Sequence, residues 1–220
     1  MPGASALTIE RVLRESVTDC GVPAALTFPL AAFTLNTGVV LAAVGAGIAG
    51  SAAAATSLNC HQWDDTADES DIISTQITLP GDFRGSIGGV DPVLKLYIKS
   101  RVLDGTGSAT ANTDLALVVQ CFWHGEGDTA LSTLGTPITV TIGAADYAAA
   151  AEEGFAWYAF DLAGAMTAAQ KLALAAWDTF KIQVYPNEAV GTNLFIENVG
   201  YALVYDRHAR VPIAQLAAIA

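Results

Sequence analysis

The sequence predicts an all-β protein, an antiparallel β-sandwich with a jelly-roll-like arrangement of strands. Apolar and polar residues alternate in several segments, as they do in strands with one buried and one solvated face. Turn-forming residues separate these segments, and no regular alternation of strands with long helices follows. About eight to ten strands without an internal repeat therefore favour two packed sheets.

The clearest alternation lies in residues 71–79 and 92–102. In the first segment, Ile73, Ile77 and Leu79 share one face with Thr75. In the second, the apolar face carries Leu94, Leu96, Ile98 and Val102. The polar face carries Lys95, Tyr97, Lys99 and Arg101. Pro80 separates the two segments, because it lacks the N–H group that a central strand needs.

Further strands are predicted downstream of this pair, at residues 114–124, 138–142, 155–162, 178–185 and 194–205. Thr167 and Gln170 have the spacing of a capping box, so a short helix is predicted through residues 171–176. The Ala-rich residues 144–153 predict a second small helical insertion.

The chain is predicted to have three parts. Residues 1–58 form an extended N-terminal arm with a first strand, residues 59–206 form the sandwich, and residues 207–220 form an apolar tail. The arm carries a short amphipathic helix at residues 8–17. Apolar residues of the arm and the tail are predicted to contact neighbouring subunits, namely Ile9, Val12, Leu13, Val39, Leu41, Ile48, Val211, Ile213 and Leu216.

Residues 39–56 are rich in Ala and Gly and have three interpretations. A transmembrane helix is disfavoured because small residues contribute little to insertion and no positive flank sets an orientation. Gly45, Gly47 and Gly50 match a dinucleotide-binding fingerprint, but the strand that should follow and end in an acidic residue is missing. We favour a strand at residues 38–44, a loop of small residues, and a strand at residues 56–63.

The composition restricts the possible partners. The chain has 10 basic and 22 acidic residues and a net charge of −12, which argues against a nucleic-acid partner because phosphates require clustered Lys and Arg. Only 15% of the residues are charged, so we expect neighbouring molecules to cover part of the surface. No membrane partner is predicted, and no signal peptide is expected at the first residues.

The cysteines and histidines do not suggest a metal site. Cys20, Cys60 and Cys121 are an odd number at irregular spacing, which is not a disulfide framework and is consistent with synthesis in the cytoplasm. A zinc site could be imagined from two pairs, but the members of each pair would face opposite sides of a strand. These pairs are Cys60 with His61 and Cys121 with His124.

No catalytic residue or cofactor is predicted, so the chain is not expected to be an enzyme. The nucleophile motif G-x-S-x-G does not occur. The acidic residues 64–71 do not fit the spacing of a calcium loop and are predicted to be a solvated turn. A carboxylate pair for glycoside hydrolysis cannot be assigned, because the sequence does not give the separations. The carboxylates that could supply it are Glu126, Asp128, Asp161 and Glu197.

The four tryptophans have two possible roles. They can anchor the core or an interface, or they can form a platform on which sugars stack. Solvent exposure distinguishes the two roles. The residues concerned are Trp63, Trp123, Trp157 and Trp177.

Several segments occur in an order that points to one family. An acidic turn at residues 65–69 leads into a strand, residues 79–83 form a corner, and alternating strands follow at residues 93–102 and 116–123. A helix–Asp178–strand unit and the closing residues 199–205 complete the pattern. Over residues 60–206 this pattern resembles tailed-bacteriophage virion proteins built on a jelly-roll-like sandwich.

The resemblance implies a capsid decoration or cement protein that forms a homotrimer. It would bind the major capsid protein and copies of itself on the surface of the virion, after synthesis in the host cytoplasm. The arm and the tail would then lie across neighbouring subunits. The alternative is a carbohydrate-binding or host-adsorption module of a phage tail or spike that uses exposed aromatic residues.

Overall fold

The computed structural model describes residues 21–35, 60–63, 71–104, 115–125, 128–142, 155–187 and 194–208. These residues form ten strands, a 3-10 turn at Leu30–Ala32 and helix α1 at Ala168–Ala173. The strands are β1 Gly21–Phe28, β2 Thr34–Leu35, β3 His61–Trp63, β4 Ile73–Thr78, β5 Leu94–Asp104, β6 Leu115–His124, β7 Ser132–Ile142, β8 Ala156–Asp161, β9 Thr179–Pro186 and β10 Leu194–His208.

The strands form two five-stranded sheets. Sheet 1 has the order β1-β10-β5-β8, with β3 also paired to β10, and sheet 2 has the order β2-β4-β9-β6-β7. Every strand pair is antiparallel. The predicted antiparallel β-sandwich is therefore confirmed.

The inner faces of the sheets carry the core that the alternation predicts. On β5, the four apolar side chains at alternate positions are completely buried, and they are Leu94, Leu96, Ile98 and Val102. The side chains between them point outward and remain partly exposed in Lys95, Tyr97 and Lys99. Burial of each such apolar side chain contributes roughly 1.5–3 kcal/mol, so β5 is a main source of stability.

Helix α1 begins at the capping box that the sequence predicts. The Gln170 N–H donates to Thr167 Oγ1 at 3.3 Å, and the Thr167 N–H donates to Gln170 Oε1 at 2.9 Å. The helix spans Ala168–Ala173 and so begins three residues before the predicted range. Gln170 also donates its amide Nε2 to the Thr133 carbonyl at 2.9 Å, which ties α1 to β7.

Strand β7 begins at Ser132, six residues earlier than predicted. The predicted strand begins at residue 138, directly after Pro137, which cannot donate to a sheet ladder. β7 is an edge strand, however, and its pairing with β6 shifts register between Val119 and Cys121. Gly135 lies in this irregular stretch with a φ of 57°. An edge position with a bulge tolerates the proline.

The strands of the sandwich extend beyond the predicted residues 59–206 at both ends. Residues 21–35 were assigned to the arm, yet β1 pairs with β10 and β2 pairs with β4. At the other end, β10 continues through Arg207 and His208, so these two residues do not belong to a tail. The short run of small and apolar residues in β1 gives a weak strand pattern, and its pairing depends on the edge that β10 offers.

Several predictions fall on residues outside the described part of the chain. They are the helix at residues 8–17, the segment at residues 39–56 with its three glycines, and the insertion at residues 144–153. The same holds for all nine predicted interface residues, which are Ile9, Val12, Leu13, Val39, Leu41, Ile48, Val211, Ile213 and Leu216.

A buried polar network joins three strands of sheet 1. Ser100 donates to Asn198 Oδ1 at 2.5 Å, and Asn198 Nδ2 donates to the Tyr201 hydroxyl at 3.2 Å. The hydroxyl of Tyr201 lies 2.8 Å from His61 Nδ1, and Phe33 stacks on the Tyr201 ring at a centroid distance of 4.2 Å. Burial lowers the pKa of His61 to about 4, against a hydrogen bond to the Leu30 backbone that raises it. His61 is therefore neutral at pH 7.

We expect the stability of the protein to fall as the pH drops from about 6.5 to about 4. In this window the unfolded chain binds a proton at His61 and the folded chain does not, so acid favours unfolding. The free energy of unfolding should decrease by at most about 3 kcal/mol from this residue. Urea titrations at a series of pH values measure the effect. The substitution His61→Gln should remove this part of the pH dependence, and an unchanged slope in the variant would contradict the assignment.

Candidate functional site

The four tryptophans divide into two classes. Trp63 is 1% exposed and donates Nε1 to the Asp71 carbonyl at 2.7 Å. Trp123 is partly buried and donates Nε1 to Asp178 Oδ2 at 2.8 Å. Trp157 and Trp177 are 52% and 72% exposed. Two of the tryptophans therefore support the fold, and two face solvent on separate surfaces.

Trp157 lies on the outer face of sheet 1. It sits on the edge strand β8 opposite Lys99 of β5, and Lys99 in turn sits opposite Gly200 of β10. A Cβ atom placed on Gly200 would lie 3.3 Å from Cη2 of Trp157. The indole therefore extends from β8 across β5 towards β10. A ring that spans this distance lies along the sheet, with one face against the strands and the other open to solvent.

A bulge in β10 makes room for this ring. The pairing of β10 with β5 shifts register between Asn198 and Gly200, which places Gly200 directly opposite Lys99. Bulges commonly redirect side chains in this way, and a glycine inside a strand often marks the close approach of another group. Gly200 thus leaves the space that the Trp157 indole uses.

The surface around Trp157 is built from small side chains. Tyr97 of β5 lies diagonally from Trp157 and is partly exposed. Diagonal neighbours across antiparallel strands are about 7–8 Å apart, which is within reach of two aromatic side chains. Besides Lys95 and Lys99 of β5, small side chains occupy the neighbouring outward positions, namely Ala25, Thr27, Ala159, Ala202 and Val204. We call this surface, including Trp157 and Tyr97, the aromatic face.

A buried ion pair between Arg101 and Glu197 borders the aromatic face on one side. Arg101 donates Nε and one terminal nitrogen to Glu197 Oε2 at 2.8 and 2.7 Å. Gln62 donates Nε2 to Glu197 Oε1 at 2.8 Å, and Glu197 is 1% exposed. The Arg101 guanidinium also lies 4.2 Å from the centre of the Phe155 ring. Both oxygens of this carboxylate are therefore occupied by donors of the fold.

The outer face of sheet 2 exposes less of its side chains to solvent than the aromatic face does. Ser74, Gln183 and Gln120 lie side by side across β4, β9 and β6, and all three are buried. Val118 on the same face of β6 is buried as well. The aromatic face of sheet 1 is the surface on which a large aromatic ring meets solvent above a floor of small residues.

Trp177 belongs to a second exposed region at one end of the sandwich. Its backbone has a φ of 72°, its N–H donates to the Leu79 carbonyl at 3.1 Å, and its ring lies against Gly81. Asp178 fixes the adjacent turn by accepting hydrogen bonds from the Ala175 N–H and from the Trp123 indole, both at 2.8 Å. We call this end of the sandwich, where β4, β6 and β8 stop, the loop end. It also carries three exposed apolar side chains, Val90, Leu131 and Leu172.

The residues considered for zinc do not converge in the structure. Cys60 and Cys121 are buried thiols, and burial raises the pKa of Cys121 to about 12. His61 belongs to the buried network, and His124 lies at the end of β6. Within the described ranges, no group of three or more His, Cys, Asp or Glu side chains is arranged to hold a metal ion.

The carboxylates considered for glycoside hydrolysis have separate structural roles. Asp128 accepts a hydrogen bond from the Gly125 N–H at 2.9 Å, and Asp161 accepts one from the Gly164 N–H at 3.0 Å. Glu197 is held in the ion pair with Arg101, and Glu126 lies outside the described residues. The described part of the chain also contains no helix that is long and apolar enough to cross a membrane.

Part of the aromatic face follows from the sequence. The alternation of β5 places Tyr97 and Lys99 outward, and Trp157 was one of four tryptophan candidates. The role of Gly200 was missed. The available signal is a glycine inside the otherwise apolar segment at residues 199–205, which indicates a bulge or a close approach.

Comparisons with known proteins give similarity in structure alone. No protein-family model matches the chain, and no curated protein matches it. A xylan-binding module, CBM15, aligns with a TM-score of 0.42 at 10% identity over 86% of this chain and 100% of that module. The CBM22-1 xylan-binding domain from Paenibacillus barcinonensis Xyn10C aligns with a TM-score of 0.42 at 9% identity over 87% and 98%. A carbohydrate-binding module specific for non-crystalline cellulose, CBM28, has a TM-score of 0.37 at 11% identity over 72% and 79%. These neighbours are carbohydrate-binding modules.

We expect the substitution Gly200→Val to displace the Trp157 indole from the sheet. The new methyl groups would occupy the space beside Cη2, so the ring should become more accessible to water. Iodide quenching of tryptophan fluorescence should increase, and the emission should shift to longer wavelength. The same substitution in a Trp157→Ala background is the control. If quenching rises equally there, the effect does not come from Trp157.

Proposed function

We propose that this chain is a carbohydrate-binding protein whose binding surface is the aromatic face of sheet 1. The observation that carries the proposal is the position of Trp157, whose indole lies along the sheet over Gly200 with half of its surface open to solvent. The exposed indole offers an apolar ring face to solvent, on which a flat apolar side of a ligand can pack.

The chemistry of the aromatic face fits a sugar ring. One face of a pyranose presents C–H groups, which pack against the negative face of an aromatic ring while the hydroxyl groups point sideways. Tyr97 offers a second ring with a hydroxyl group, and the lysines of β5 offer N–H donors at the same level. Hydroxyl groups of the sugar would thus find donors beside the ring on which it stacks.

The shape of the aromatic face favours an extended chain over a single sugar. The small side chains of β1, β10 and β8 leave a shallow surface along the sheet. A polysaccharide segment can lie on such a surface without a free chain end. We propose binding without catalysis, because the described carboxylates near the face, Glu197 and Asp161, are engaged by hydrogen-bond donors of the fold.

Substitution of Trp157 by Ala should weaken polysaccharide binding by at least about tenfold, which corresponds to about 1.4 kcal/mol. Because the ring is exposed, the free energy of unfolding should change by only about 1 kcal/mol or less. Native affinity electrophoresis against a panel of soluble polysaccharides, followed by calorimetry on those that bind, measures the effect.

The chain supplies its own matched control for this experiment. Trp177 is also exposed but lies at the loop end, so Trp177→Ala should leave binding unchanged. Equal losses in the two variants would show that the effect is not specific to the aromatic face. Failure of the wild-type protein to bind any polysaccharide of the panel would refute the proposal.

A second candidate function is a structural one, in which the protein binds copies of itself or another protein. The observation that favours it is the loop end, where Trp177 is held with a positive φ and three further apolar side chains are more than half exposed. Backbone strain of this kind is often retained at functional surfaces. The decoration of a bacteriophage capsid that the sequence predicts belongs to this class and stays a prediction, because neither the structure nor the similar proteins test it.

If the loop end is a subunit contact, the purified protein should form an oligomer. A homotrimer would have a mass of about 68 kDa, from three chains of 22.7 kDa. The double substitution Leu172→Ser with Trp177→Ser should then give monomers in size exclusion with light scattering, while Trp157→Ala should leave the mass unchanged. A wild-type protein that is already monomeric at high concentration would count against self-association.

A further inference from the structure

We infer that the aromatic face selects acidic polysaccharides, whose uronate carboxylates or sulfate esters contact Lys99 and Lys95. This inference rests on the proposed function and adds the chemical class of the ligand. It is carried by the arrangement of positive charge on β5 and by the absence of an ion pair at Lys95 and Lys99 among the described residues.

Positive charge is concentrated beside the exposed indole. Lys95, Lys99 and Arg101 occupy outward positions of one strand, β5, in a chain whose net charge is −12. Lys95 and Lys99 are four residues apart, so their Cα atoms are separated by about 13 Å along the strand. Tyr97 lies between them, and Trp157 lies next to Lys99. The two ammonium groups therefore bracket the surface on which a sugar would stack.

The two lysines differ in their pairing from three other cations of the described chain. Arg101 is bound to Glu197, Arg84 lies 3.9 Å from Asp206, and Lys171 is bound to Asp91. Lys95 and Lys99 make no ion pair or hydrogen bond through their side chains with the residues that the structure describes. Their charge is thus available to a ligand.

The described acidic residues near the lysines form no ion pair with the ammonium group of Lys99. Its direct neighbours across the strands are Trp157 and Gly200, and the next positions carry Ala159 and Ala202. Glu197 lies diagonally from it, but its two oxygens are held by Gln62 and Arg101. Asp161 lies opposite Lys95 and forms no ion pair with it. Lys99 is therefore the primary anion contact, and Lys95 is the weaker one.

A lysine beside an aromatic ring suits a charged sugar better than a neutral one. The ammonium group is a strongly hydrated point charge with three donors. A neutral hydroxyl replaces only part of its hydration, whereas a carboxylate or sulfate forms a charge-assisted hydrogen bond. Because the lysines are on the surface, this contribution should weaken as salt is added.

The test compares polygalacturonate with its methyl ester, which has the same sugar backbone and no carboxylate charge, and uses sulfated dextran as the arm for sulfate. The full-length wild-type protein should bind polygalacturonate or sulfated dextran at least about fivefold more tightly than the methyl ester in low salt. This preference should disappear in 0.5 M NaCl. Lys99→Gln should lose the preference and keep its affinity for the methyl ester.

Lys171→Gln is the matched control, because it changes the net charge equally at a distant, paired lysine. It should bind like the wild type. Equal affinity of the wild type for the charged and the neutral ligand would overturn the inference and leave the proposed function standing. Binding of no ligand, neutral or charged, would overturn both. A preference that Lys99→Gln and Lys95→Gln both retain would also overturn the assignment.

Discussion

The pairing of β10 is the constraint on which the rest of the sandwich depends. This 15-residue strand bonds to β5 along one edge and to β3 and β1 along the other, so three strands take their position from it. Its inward residues Asn198 and Tyr201 also carry the buried polar network that reaches Ser100 and His61. Because each buried polar atom in such a network requires its partner, the register of these strands is fixed within one residue.

The same strand shapes the surface as well as the core. The bulge at Val199 allows Asn198 and Tyr201 both to face inward, although they are three residues apart. As a consequence, Gly200 faces outward opposite Lys99, where the Trp157 indole lies. The bulge that satisfies hydrogen bonds inside the sandwich thus also leaves the space at Gly200 on its outer face. The aromatic face and the core are consequently coupled through one backbone irregularity.

The two exposed regions differ in what surrounds them, and this difference separates the two proposed functions. Around Trp157 the neighbours are small side chains and unpaired lysines, a combination that suits a polar ligand with a flat apolar side. Around Trp177 the exposed neighbours are Val90, Leu131 and Leu172, which suit burial against another protein. The two surfaces do not compete for space, since one lies on a sheet and the other at the loop end.

The sequence by itself determined the fold class, the inward and outward faces of β5, and the capping box of α1, because these depend on local periodicity and on pairs of residues close in the chain. It also identified the four tryptophans as candidates for core anchors or for sugar stacking. Only the tertiary structure decided that β1 joins the sandwich and that Trp157 faces solvent while Trp63 does not. Those outcomes depend on contacts between residues far apart in the chain, such as the position of Gly200 beneath an indole more than 40 residues away, and a local pattern does not identify the partner in such a contact.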